Sequence, residues 1–176
     1  DTIAELLHFA GGCERVFAFE PDEKTHKKLC LAVEQMGLAG RATCVQMAAY
    51  SHQQTLEFDS RGGRQSALRE ESLVTGAAGA AKPKIKLVQG QSLDNVAGEE
   101  TVTLINMDVE GAERQALEGC AKIIARDRPK MLLAAYHRSE DLFAIPLQIA
   151  AMRSDYRFYL RHYPYIPAWD TNLYCV

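Results

Sequence analysis

Short apolar runs and longer amphipathic segments take turns along this chain, and that alternation restricts its possible folds more than any other feature. "RVFAFE" (15–20), "ATCVQMAA" (42–49), "KIKLVQG" (84–90), "TVTLINMD" (101–108) and "KMLLAAY" (130–136) read as strands, the fourth as a buried one. Helix-like stretches lie among them. The first covers 2–10 and stops at Gly11-Gly12. The second opens at Pro21-Asp22, with Asp22 able to cap it, and carries Leu29, Leu31, Val33 and Met36. The third runs from about Gly111 to Ala125, with Ala112, Ala116, Leu117, Cys120, Ile123 and Ile124 on its apolar face. The fourth is "SEDLFAIPLQIAAMR" (139–153), with Ser139 a possible cap. Strands alternating with helices imply a mostly parallel α/β sheet, covered by helices on both faces.

The end of the chain breaks this rule. "RFYLRHY" (157–163) and "TNLYCV" (171–176) both read as strands. About eight residues join them, whereas a parallel crossover needs about a dozen or more. The sheet is therefore expected to finish in an antiparallel hairpin. "QTLEFDS" (54–60) alternates and suggests a local extra strand. Residues 61–83 are rich in Gly, Ala and charge and read as a mobile loop. No internal repeat or linker divides the 176 residues, which are expected to form one domain.

Composition excludes several classes. A hydrophobic content of 47% and a charged content of 24% are those of an ordinary globular protein. A net charge of −3 gives no reason to expect a nucleic-acid or anionic-membrane surface. No apolar stretch approaches the roughly 20 residues of a membrane span, and "DTIAELLHFAGG" lacks the basic region of a signal peptide. The five cysteines are odd in number and form no CxxC, so they read as reduced, mostly buried thiols of a cytoplasmic protein. No His/Cys cluster has zinc spacing, and no metal is expected. Oligomeric state is not legible.

Ligands of open α/β sheets bind beyond the carboxyl ends of the strands. Glu20 ends one strand, Asp108 ends another with Glu110 just beyond, and His137 follows a third. A crevice edge is also where two acids beside a buried strand can be satisfied by ligand or water. Each residue has a structural reading too. Glu20 can be a solvated strand end, Asp108 an N-cap, Glu110 a favourable charge in a first helical turn, and His137 a hydrogen-bonding core histidine. His8, His26 and His52 read as surface residues and His162 as a strand residue.

"VFAFEPD", "MDVEGAE", "RPKMLLAAYHRSEDLFAIPLQI", "YRFYLRHY" and "NLYCV" follow one another in an order and spacing that resemble FkbM-type methyltransferases over nearly the whole chain. The resemblance implies a class I Rossmann-like fold, a seven-stranded sheet with its last strand antiparallel, and S-adenosylmethionine as cofactor. It implies that Glu20 holds the cofactor's ribose, that Ala49 lies near its adenine, and that Asp108 faces its reactive end. Glu110 and His137 would then line the pocket of a small-molecule hydroxyl acceptor, a sugar or metabolite that becomes O-methylated, with His137 as the base. Asn106 stands where the family pattern has lysine. The family's glycine-rich D-x-G-A-x-x-G motif is followed by D-T, matched here by Asp1-Thr2, which the resemblance assigns to the cofactor site. The first strand and glycine loop are thus expected to be missing. The expectation is that they lie upstream of these 176 residues; a protein that begins at Asp1 would instead pair the "VFAFE" and "TLINMD" strands directly or repair the gap between molecules, and the structural alternative is a slot filled by 84–88. Two other functions remain open, a non-catalytic binding domain and a nicotinamide-dependent oxidoreductase.

Overall fold

The computed structural model describes residues 2–59, 67–69, 85–163 and 171–176. They group into two compact units, Asp1–Ala48 and Ala49–Val176.

In the first unit, α1 (Thr2–Ala10) ends where Gly11 takes a left-handed φ of 73°. Strands β1 (Val16–Phe19) and β2 (Ala42–Val45) pair in parallel, from Val16 opposite Ala42 to Phe19 opposite Val45. Between them runs α2 (Glu23–Gln35). The Asp22 carboxylate accepts from the backbone N–H groups of Lys24 and Thr25 at 3.0 and 3.1 Å, as the sequence predicts for a cap. Val33 of α2 and Leu38 just beyond it are buried.

The second unit begins within β3 (Ala48–Ala49). Strands β4 (Gln54–Asp59), β5 (Ala67–Arg69) and β6 (Ile85–Gln91) complete a sheet of order β3-β6-β4-β5, with β4 antiparallel to both neighbours. Next come α3 (Leu93–Ala97), β7 (Leu104–Met107), α4 (Glu113–Glu118), α5 (Ala121–Asp127) and β8 (Lys130–Ala134). They are followed by α6 (Asp141–Met152), β9 (Phe158–His162) and β10 (Thr171–Cys175). These four strands form a sheet of order β7-β8-β10-β9. β7 and β8 are parallel, while β10 runs antiparallel to both β8 and β9, so the expected terminal hairpin is present. Leu117, Ile123, Ile124, Leu133, Ile145, Ile149 and Cys175 are almost wholly buried and make this unit's core. Because β7 and β8 run side by side in one direction, the residues beyond their carboxyl ends are neighbours.

Several expectations are corrected. The described strands form a two-stranded and two four-stranded sheets, and no seven-stranded sheet. Residues 85–88 belong to β6, whose neighbours are β3 and β4, so they fill no slot beside β1 or β7. The ladder partner of β1 is β2 and that of β7 is β8, so the two strands are not paired directly among the described residues. β7 is buried on one face only: Ile105 and Met107 are inside, whereas Leu104 is 41% exposed. The strand expected over 42–49 divides into β2 and β3.

The helix expected over 111–125 is two helices, and the reason is tertiary. A Cβ on Gly119 would lie 2.0 Å from the Tyr50 carbonyl oxygen, so the backbones touch there. Asp94 of α3 accepts from the N–H groups of Lys122 and Ile123 at 3.0 Å each and so caps α5 from 28 and 29 residues away. Helix α3 itself, capped by Ser92, was not foreseen. Helix α6 opens after Glu140 with no side-chain cap, so Ser139 does not cap it. Only Cys120 and Cys175 of the five free cysteines are buried, and burial pushes both thiols up to about 12. The loop expected over 61–83 lies outside the described residues except for β5.

Candidate functional site

Three of the residues singled out from the sequence meet at the carboxyl ends of β7 and β8. His137 Nε2 lies 3.4 Å from Asp108 Oδ1 and 3.2 Å from Glu110 Oε2. The imidazole is 13% exposed, whereas Asp108 and Glu110 are 53% and 35% exposed and form an open rim. Glu110 is in the left-handed region at φ 55°, which costs a non-glycine residue on the order of 1 kcal/mol or more. Gly111 follows at φ 96°. This turn swings the Glu110 carboxylate back over the imidazole. The Tyr136 hydroxyl donates to Asp108 Oδ2 at 2.8 Å and fixes that carboxylate.

Below the rim lies a residue that sequence reading passed over. Glu113 opens α4 and is 1% exposed. Its Oε1 accepts from His137 Nδ1 at 2.8 Å and from the backbone N–H groups of Val109 and Gly111 at 3.1 and 3.4 Å. Glu113 therefore satisfies the turn before α4, and Asp108 is not the helix cap. The available signal was its place in "DVEGAE", the last acid of that motif, on the first turn of an apolar helix.

The charges respond to one another. Burial raises the Glu113 pKa, but the hydrogen bond and charge of His137 outweigh it and hold the carboxyl below its usual value. Burial also works against a charged imidazole, yet Glu113, helped by Asp108 and Glu110, lifts the His137 pKa above its usual value. Glu110 is raised, first by burial, with Asp108 and Glu113 adding and His137 opposing. Asp141, at the start of α6, is 1% exposed and neither of its oxygens has a hydrogen-bond partner; burial and the charge of Glu113 raise its pKa.

With its Nδ1–H donated to an ionised acid, His137 presents the Nε2 lone pair to the rim when neutral. The arrangement can take up a proton at that atom. One ligand atom from each of Asp108, Glu110 and His137 lies within 4.8 Å of the other two, so the same atoms can hold a cation.

The other expected residues are described each on its own element. Asp1 lies outside the described residues, and Thr2 opens α1 as an exposed residue. Ala49 ends β3. Glu20 follows β1 in the first unit, is part-buried, and accepts from the Asp22 N–H at 2.8 Å; burial raises its pKa despite that bond. His8 and His52 are exposed, His162 is a strand residue, and His26 is half-buried with Cys30 Sγ 3.8 Å from its ring nitrogens.

Residues 1–167 match the family model described as the methyltransferase FkbM domain. Among solved structures, the chain resembles a methyltransferase FkbM from Methylobacillus flagellatus KT with a TM-score of 0.75 and 27% sequence identity. The match covers 99% of this chain and 40% of that one, so the chain spans about two-fifths of its solved relative. No curated protein matches it.

Proposed function

The chain belongs to the FkbM methyltransferase domain family, and from that premise we propose that it takes part in methyl transfer from S-adenosylmethionine to a hydroxyl of a sugar or small metabolite, with His137 as the proton acceptor. The observation that carries this reading is the 2.8 Å bond between His137 Nδ1 and the buried Glu113. An acid on one ring nitrogen sets the tautomer, supports the developing imidazolium and leaves the other nitrogen to act as base.

Glu20 suits the ribose of the cofactor. It is a part-buried carboxylate with a raised pKa, held in place by one backbone donor, and a carboxylate can accept from two hydroxyls. When bound, the cofactor supplies an electrophilic methyl group on a sulfonium. The chain's own residues do the rest. Glu110 and Asp108 accept from the hydroxyls of the acceptor and orient it. His137 Nε2 would take up the proton of the reacting hydroxyl and hold it as an imidazolium. Glu113 keeps the imidazole pointed at that proton and stabilises the cation that results.

The test uses the chain with labelled S-adenosylmethionine and a panel of sugars, alongside calorimetry with S-adenosylhomocysteine. His137→Gln should lower turnover by about 10²–10⁴ with cofactor affinity unchanged. Unchanged turnover removes the base assignment. Absence of cofactor binding by the wild-type chain would favour a non-catalytic binding domain.

A further inference from the structure

We propose that Asp108, Glu110 and His137 form a binding site for a divalent transition-metal cation. The separations fit a metal ion shared by the three side chains. A charged N–H donating to a carboxylate settles at about 2.7–2.9 Å, yet Nε2 stands 3.4 Å from Asp108 Oδ1 and 3.2 Å from Glu110 Oε2. Two ligands each about 2.0–2.2 Å from one metal ion, at octahedral or tetrahedral angles, are about 2.8–3.6 Å apart. Both measured edges fall in that range, and one ligand atom from each of the three residues lies within 4.8 Å of the other two.

The surroundings supply the rest of such a site. A metal-binding histidine commonly donates its other ring N–H to a carboxylate that fixes the ring. Glu113 does this at 2.8 Å from a position that is 1% exposed. Its second oxygen is buried and has no hydrogen-bond partner. Asp141, also buried and unpartnered, adds a further acid under Glu113. Three acids therefore face one imidazole, with Asp141 coupled to the innermost of them, Glu113. Arg138, beside Gly111, is a cation next to these acids, and its charge opposes the rise in the Asp141 pKa. The Asp108 carboxylate is held by Tyr136 through Oδ2, which leaves Oδ1 for the ion. One imidazole nitrogen with two carboxylate oxygens is a mixed donor set, suited to manganese or zinc better than to magnesium or calcium, which prefer oxygen alone. The exposed rim leaves coordination positions for water or a hydroxyl of the acceptor.

A cation on Nε2 occupies the lone pair assigned above to proton uptake, so its effect on turnover rests on that assignment while its binding does not. Mn²⁺ titrated into the chain, followed by loss of the free-ion paramagnetic resonance signal and by calorimetry, should bind one ion per chain, displaceable by Zn²⁺. Asp108→Asn and Glu110→Gln, both at the exposed rim, should each weaken binding at least tenfold. Glu113→Gln, which touches no ion, should weaken it by about 10–100-fold. Glu99→Gln, at a fully exposed acid, should leave it unchanged. No stoichiometric binding, or binding indifferent to the rim substitutions, overturns the site. Binding with undiminished turnover upholds the site and removes His137 as the base. Absent binding with a turnover defect in His137→Gln does the reverse.

Discussion

Glu113→Gln keeps the side chain's shape and removes its charge, and so isolates what the buried acid contributes. Oε1 of Glu113 serves three donors: His137 Nδ1 at 2.8 Å, Val109 N at 3.1 Å and Gly111 N at 3.4 Å. A hydrogen bond involving a charged group contributes about 1.5–3 kcal/mol and a neutral one about 0.5–1.5 kcal/mol. Neutralising the acid should therefore cost about 1–2 kcal/mol at the imidazole. Some of this returns, because the variant no longer sets a buried negative charge against Asp141. The net loss should be about 1 kcal/mol where both partners are ionised.

The pH dependence makes the test decisive. The folded Glu113 pKa lies below its ordinary 4.5, so its stabilisation is present above 4.5 and lost as pH falls through the lowered value. The folded His137 pKa lies above its ordinary 6.5, so its stabilisation is full below 6.5 and lost as pH rises through the raised value. Both contributions are present together between those two ordinary values. Urea denaturation followed by circular dichroism, in buffers from acid to alkaline, should show the difference between wild type and Glu113→Gln peaking in that window. It should shrink on either side. A difference that stays flat across pH would refute the coupling between Glu113 and His137.

Two other perturbations test the framework around the site. Gly119→Ala should destabilise the chain by about 3 kcal/mol or more, because the added Cβ would lie 2.0 Å from the Tyr50 carbonyl oxygen at an otherwise ordinary φ of −72°; a thermal midpoint within a degree of wild type would contradict that contact. Asp22→Ala should cost about 1 kcal/mol by leaving the Lys24 and Thr25 N–H groups without their acceptor, and amide exchange at those two positions should quicken; unchanged exchange there would mean the cap contributes nothing.

Much of the architecture is written locally and can be read without coordinates. Apolar runs of strand length marked β1, β6, β7 and β8, the Asp22 cap marked the start of α2, and the short connection before residue 171 demanded an antiparallel end. That Asp108, Glu110 and His137 would meet was legible because strand-end positions in a parallel sheet can be counted along the chain. What local sequence could not carry was set by partners distant along it. The break between α4 and α5 depends on Tyr50 and Asp94. The division into separate sheets depends on which strands pair, and hydrogen-bonded edges accept partners from anywhere in the chain. The importance of Glu113 appears only when residue 137 folds back onto it. Metal-ligand spacing was absent from the linear order for the same reason: the two acids are two residues apart, but the histidine that completes the set arrives from the next strand, across a contact that only the folded sheet creates.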